Sequence, residues 1–209
     1  NFTALQMASA TATLVSGGQR YKPRLVREIE DVVTRERRRV ASDAVEPLPY
    51  KHEHVELINR AMYGVTQEGT SVRSFVGAPY KSGGKTGTAQ AVSIKQNEKY
   101  NASKLDEHKR DRSWYIAFAP VEVPTVALAV IIENSGFGSE AAAPMARRVF
   151  DYLLLGLVPG PEDMALTQKG KSGAPVGKQR LADEWPLPGM AGAALQSVPT
   201  PVSVARGPR

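Results

Sequence analysis

Six consecutive residues, Lys85-Thr86-Gly87-Thr88-Ala89-Gln90, bring together a cation, two hydroxyls and a glycine, and the chain enters them through Ser82-Gly83-Gly84. The pattern predicts an extended strand over 85–93. Side chains alternate faces along a strand, so Lys85 and Gly87 share one face while Thr86 and Thr88 share the other. Two threonine hydroxyls on one face form a short polar comb that can grip a carboxylate, with a cation close by. Gly87 has no side chain, so a ligand or another backbone can come close there. An open edge on such a strand would offer backbone N–H groups to an extended peptide or to a developing oxyanion. These are the requirements of a peptide-binding strand in an acyl-transfer site. Taken alone, Lys-Thr-Gly fits a solvent-facing turn with a lysine equally well, so the neighbouring elements have to decide.

Those elements read as an α+β layer. Thr3 can cap a helix over 4–16 with Leu5, Ala8, Ala12 and Val15 on one stripe, and Gly17-Gly18 ends it. Residues 23–33 look extended, with Leu25, Ile29 and Val33 in phase. A charged turn and Pro47-Leu48-Pro49 follow. A second helix is predicted over 53–65 with Val55, Ile58, Met62 and Val65 as its apolar stripe, and a short helical piece over 71–75. Residues 95–112 are polar and aperiodic, a long loop of the kind that is usually functional. Two strong strand patterns at 113–119 and 125–133 are joined by Val123-Pro124 as an antiparallel hairpin. The second is apolar on both faces, which predicts a central strand covered on both sides. A last helix is predicted over 139–155 with Ala142, Met145, Val149 and Leu153 inward and Pro144 tolerated in its first turn. From 157 to 209 Pro and Gly dominate, so residues 1–156 are expected to form the folded portion and 157–209 an unstructured tail. Together these elements predict helices packed on a mostly antiparallel sheet.

Composition narrows the chemistry. The chain has 209 residues, enough for one sizeable core, with 42% hydrophobic and 23% charged residues. It has no cysteine, which rules out disulfides and thiolate metal sites. There are three histidines, and the two in His52-Glu53-His54 are splayed by their i, i+2 spacing and read as a solvated pair at a helix start, so no metal site is expected. A net charge of +6 admits nucleic acid or an anionic polymer as a partner, but the basic residues are spread out. Only Arg35-Glu36-Arg37-Arg38-Arg39 is dense, and it reads as a solvated turn. No apolar run is long enough to cross a membrane. The chain opens at Asn1 inside a helix start, with no leader pattern, which reads as a piece of something longer.

With the whole pattern assembled, the chain resembles the C-terminal part of the transpeptidase domain of class B penicillin-binding proteins, most closely the elongation type. The resemblance rests on Thr3-Ala4-Leu5-Gln6-Met7-Ala8 with Gly17-Gly18, Met62-Tyr63-Gly64-Val65, Glu68-Gly69-Thr70 and Ala78-Pro79-Tyr80-Lys81 leading into the Lys85 strand. It continues through Tyr100-Asn101-Ala102, Ala117-Phe118-Ala119-Pro120 and Ile132-Glu133-Asn134-Ser135-Gly136-Phe137-Gly138, and covers about 1–156. Ala4 stands where the family usually has proline. The family's fold is that of the serine β-lactamases, whose signatures are S-x-x-K, S-x-N and K-T-G. Only the last is here. Ser82-Gly83-Gly84-Lys85 spells S-x-x-K, but the motif needs a helical turn to set lysine over serine, and two glycines entering a strand cannot hold one.

The resemblance therefore implies a peptidoglycan D,D-transpeptidase that is inactive as this chain alone, its serine nucleophile lying before Asn1. It implies that Lys85 supplies positive potential and that Thr86 and Thr88 hydroxyls bind the terminal carboxylate of a D-Ala-D-Ala stem peptide or of a β-lactam. It further implies that the Thr88 N–H is one of two oxyanion donors and that Gly87 lets substrate lie against the strand. No cofactor is implied. The implied partners are the preceding part of the same protein and a membrane glycosyltransferase of the elongation complex, with no nucleic acid. The implied location is the periplasmic face of the inner membrane. Two other readings remain open on the residues alone: a serine β-lactamase or D,D-carboxypeptidase on the same fold, and a basic interaction module.

Overall fold

The computed structural model describes residues 2–41, 43–89 and 105–182. Its elements are α1 (Ala4–Val15), β1 (Arg20–Tyr21), β2 (Glu28–Glu30), β3 (Arg37–Arg39), β4 (Ala44–Val45), α2 (His52–Gln67), α3 (Val72–Phe75) and β5 (Gly83–Ala89). After a single 3-10 turn at Glu107–Lys109 come β6 (Arg112–Ala119), β7 (Val126–Ile132), α4 (Ala142–Leu155), β8 (Leu157–Val158), α5 (Pro161–Gln168) and β9 (Arg180–Leu181). Helices plus antiparallel sheets make this the α+β class that the pattern predicts. The expected 95–112 loop falls largely outside the described residues.

The central sheet has three antiparallel strands in the order β5-β6-β7. Its register pairs Lys85 with Ile116, Thr86 with Tyr115, Gly87 with Trp114 and Thr88 with Ser113. On one face, the fully buried Tyr115, Ala117 and Ala119 of β6 and the partly buried Val126, Leu128 and Val130 of β7 pack against Ala142, Ala143, Ala146 and Phe150 of α4. Alanines on both sides let helix and sheet approach closely, and the larger Phe150, Phe75 and Tyr80 rings fill the end of that layer, 6.1 to 6.4 Å apart. On the other face α1 packs across β6 and β7. β7 is thus covered on both sides as its composition predicts. It is an outer strand of the described sheet, however, with β6 at the centre.

Three helical stripes differ from the apolar pattern. In α1, Leu5 is 64% exposed while Thr11 and Thr13 are buried. Their hydroxyls donate to the carbonyls of Met7 and Ser9, four residues back, so each is buried with its polar group satisfied. In α2 the buried positions are Val55, Met62 and Thr66, and Ile58 faces solvent. In α4, Val149 and Leu153 face solvent while Arg147, Arg148 and Asp151 are buried. Hydropathy cannot identify a charged residue as inward-facing when its partner lies elsewhere in the chain. Thr3 caps α1 as expected, accepting from the Gln6 N–H at 3.2 Å while Gln6 Oε1 accepts from the Thr3 N–H at 2.8 Å.

The 23–33 stretch forms only the short β2, paired with β3 from the Arg35–Arg39 run, and its in-phase Leu25, Ile29 and Val33 are exposed. Arg37 bridges to Glu30 at 2.8 Å and to Glu28 at 3.7 Å, so most of that charge is spent within the hairpin.

The expectation of an unstructured tail from 157 onward does not hold for residues 157–182. Leu157 and Val158 pair with Leu181 and Arg180, and α5 lies between them. Arg148 of α4 makes a bidentate pair with Asp163 of α5, which is only 1% exposed, and also donates to the Gly173 carbonyl at 3.1 Å. Asp151 accepts from Arg147 at 2.8 Å, from Tyr80 at 2.7 Å and from Gln179 at 2.8 Å. Two buried carboxylates therefore fasten this segment to the back of the sheet.

Candidate active site

Residues 85–88 lie in β5, an outer strand of the central sheet, so one of its edges faces away from β6 with no strand partner among the described residues. The predicted alternation holds. Thr86 and Thr88 sit on the face of Tyr115 and Ser113, and Lys85 and Gly87 on that of Ile116 and Trp114. Thr88 and Lys85 are exposed and Thr86 is half-buried. The Lys85 Nζ donates to the Thr86 carbonyl at 2.7 Å. Ser82 is buried while Lys85 is exposed, and β5 begins at Gly83, so Ser82-Gly83-Gly84-Lys85 makes no helical turn.

Packing on each side fixes this strand. α2 lies against β5, and the Thr66 hydroxyl donates to the Ser82 carbonyl at 2.6 Å in a buried bond. A Cβ on Gly84 would collide with the Tyr115 hydroxyl, so only glycine lets that ring lie under the strand. Burial pushes the Tyr115 phenol up to about 12, the Ser71 hydroxyl pulling weakly the other way. Gly138, in the loop before α4, comes so close that a Cβ there would sit 2.6 Å from the Gly87 carbonyl oxygen and 3.0 Å from its nitrogen. At Gly87 itself a Cβ would meet only the Trp114 Cβ, at 3.3 Å. Lys81, just before β5, pairs with Glu122 of the β6–β7 turn at 2.8 Å, which raises the lysine and lowers the carboxylate.

An open cleft of about 640 Å³ runs beside β5, lined by Phe2 and Met7 of the α1 region, Lys85 and Gly87 of β5, and Arg112 and Trp114 of β6. It joins an apolar wall to two cations on the Lys85 face of the sheet, a setting that favours a negatively charged ligand. Lys85, Thr86, Gly87 and Thr88 are all brought to this edge. Thr66 and Thr70, from α2 and its end, and Gly138, from the loop before α4, support β5; Thr70 and Gly138 stand in motifs that carry the resemblance, but their contacts with the strand leave no sequence signal. His52 and His54 begin α2 and are exposed. Among the described residues no group of His, Cys, Asp or Glu could hold a metal ion, and no helix is long and apolar enough to cross a membrane.

Helices packed on an antiparallel sheet with Lys85-Thr86-Gly87-Thr88 on an outer strand define the class, and the chain belongs to the family described as the penicillin binding protein transpeptidase domain, whose model matches residues 1–151. It is 39% identical over 160 residues to the peptidoglycan D,D-transpeptidase MrdA of Haemophilus influenzae, covering 73% of this chain and 24% of that protein. The chain thus spans about a quarter of the length of the curated relatives it matches. Among solved structures it is similar to Pseudomonas aeruginosa PBP2 in complex with WCK 5153, at 26% identity and a TM-score of 0.57, covering 74% of this chain and 30% of that one. It is also similar to penicillin-binding protein A from M. tuberculosis in its imipenem acyl-enzyme complex, at 25% identity and a TM-score of 0.56, covering 73% and 31%. The resemblance to class B penicillin-binding proteins drawn from the sequence motifs is the one these relatives bear out.

Proposed function

We propose that this chain carries the K-T-G half of a peptidoglycan D,D-transpeptidase site of the elongation type, and that the serine nucleophile comes from a segment outside it. The observation that carries the reading is the outer strand β5, with Thr86 and Thr88 on one face, Lys85 on the other and a cationic cleft alongside. In this reading the two hydroxyls donate to the terminal carboxylate of a D-Ala-D-Ala stem peptide, or to that of a β-lactam, lying along the open edge of β5, and Lys85 and Arg112 on the opposite face add positive potential there. The serine oxygen attacks the penultimate D-Ala carbonyl while its proton passes to a base. The oxyanion takes hydrogen bonds from the Thr88 N–H and from the serine's own N–H. Collapse breaks the peptide bond and releases D-alanine, which carries away a proton. The amine of a neighbouring stem then attacks the ester and restores the serine. Losing one oxyanion donor typically costs about 10²–10³ in rate. Domain boundaries, the membrane glycosyltransferase partner and a periplasmic location at the inner membrane belong to the same proposal.

The test is Lys85→Met in the full-length protein, read by the rate of covalent labelling with a fluorescent penicillin. The reading expects a loss of at least about a hundredfold with the melting temperature kept, since the change removes one of the charges that act on the reacting centre. Labelling at the unsubstituted rate would refute it.

A further inference from the structure

Glu68-Gly69-Thr70, at the end of α2, has no role in the chemistry above. Its geometry gives it one. The Thr70 Oγ1 lies 2.9 Å from the Thr86 Oγ1, a hydrogen bond between two hydroxyls. The Thr66 Oγ1, one helical turn earlier, bonds the Ser82 carbonyl at 2.6 Å, and both bonds span the same separation of 16 residues. The end of α2 and β5 therefore run side by side in register, with a threonine rung at Ser82 and another at Thr86. Gly69 makes the second rung possible. The chain turns back onto the helix there through Gly69 N–H to Gly64 O at 3.0 Å and Ser71 N–H to Val65 O at 3.0 Å. A Cβ on Gly69 would lie 2.7 Å from the Val65 Cα, so only glycine permits so tight a return, and the return delivers Thr70 to the strand.

We infer that Thr70 is a positioning residue that sets Thr86 as a hydrogen-bond donor toward the substrate's carboxylate. A hydroxyl has one proton and two lone pairs. When the Thr70 proton is given to a Thr86 lone pair, the Thr86 proton is free to point at an anion beside the open edge of β5, and the donated bond makes it a stronger donor. Without Thr70, Thr86 keeps its place in the strand but its hydroxyl rotates freely among three staggered positions. The effect falls on recognition of a carboxylate and not on the reaction at the carbonyl. This inference rests on the assignment of Thr86 to the carboxylate.

The experiment compares second-order acylation rates of the full-length protein by benzylpenicillin and by its methyl ester, which keeps the reactive ring but has no free carboxylate. Thr70→Val should slow the acid about five- to tenfold, the worth of one ordinary hydrogen bond in rate, and leave the ester within about twofold. Thr70→Ser should restore the acid rate, and Thr70→Ala should behave as Val, which guards against a folding artefact of either substitution. Thr86→Val should show the same acid-selective loss, larger. Equal slowing of both probes by Thr70→Val, or no slowing, while Thr86→Val stays acid-selective, overturns the inference and leaves the carboxylate site standing. If Thr86→Val is not acid-selective, the carboxylate site itself is wrong and the inference falls with it.

Discussion

Asp163→Asn is the substitution that most sharply separates a fastened C-terminal segment from a loose one. Asp163 is 1% exposed and holds Arg148, itself 8% exposed, through two guanidinium nitrogens. The third nitrogen of Arg148 donates to the Pro144 carbonyl at 2.8 Å and the Gly173 carbonyl at 3.1 Å. Removing the acid's charge leaves a buried guanidinium facing only neutral groups, and breaking such a pair costs about 3–5 kcal/mol. Against a total stability of roughly 5–15 kcal/mol, that is a large share. For a chain of this size each kcal/mol moves the melting temperature by about 2–4 °C, so a fall of roughly 6–20 °C is expected. The assay is thermal and urea unfolding of the 209-residue chain followed by circular dichroism, with limited proteolysis at 157–182 as a further readout. The double variant Arg148→Met/Asp163→Leu removes both charges and should recover most of the loss, because a buried ion pair exchanged for apolar groups of similar size is close to neutral. A single Asn variant within about 1 kcal/mol of the parent, with proteolysis unchanged, would refute the argument that this pair fastens the segment.

Three further outcomes are expected. Gly138→Ala places a methyl against the backbone of Gly87 and Trp114, which cannot give way singly, and should cost about 1–3 kcal/mol and slow penicillin labelling of the full-length protein. Gly136→Ala, two residues earlier with φ +74 and open space around it, should cost only the roughly 1 kcal/mol of a left-handed backbone and leave labelling alone. Equal effects of the two on labelling would show that contact with β5 is not what matters. The Tyr115 phenol has its pKa raised from 10.0 to about 12, so it stabilises the fold fully below pH 10 and loses that contribution as pH climbs toward 12. Tyr80, raised chiefly by burial and then by its bond to Asp151, acts in the same direction. Urea midpoints between pH 9 and 11 should fall less steeply for Tyr115→Phe than for the parent, and identical slopes would count against a buried neutral phenol.

Much of the architecture is legible in the sequence. Strands β5, β6 and β7 and helices α1, α2 and α4 lie where period, caps and turn residues put them, since each depends on local signals. The faces of Lys85, Thr86, Gly87 and Thr88 follow from strand alternation alone. What escaped was decided by distant partners. Arg147, Arg148 and Asp151 look like a solvent face until Ser74, Asp163 and Gln179 are brought to them, and the 157–182 segment looks unstructured because its anchors, Asp163 and Gln179, are polar. Thr11 and Thr13 are read as polar, yet each satisfies its hydroxyl within its own helix. The Thr70–Thr86 bond joins a helix end to a strand and leaves no period in the sequence. Apolar residues on both faces of β7 predict cover on both sides, which it has, but cover is indifferent to strand order, and β6 is the middle strand.

The measurement closest to the heart of the account is peptide mapping after exposure to a fluorescent penicillin, done on the 209-residue chain and on the full-length protein side by side. A label on a serine outside residues 1–209, together with an unlabelled isolated chain, is the predicted result. A covalent adduct on Ser82, or on any other residue of the isolated chain, would contradict it.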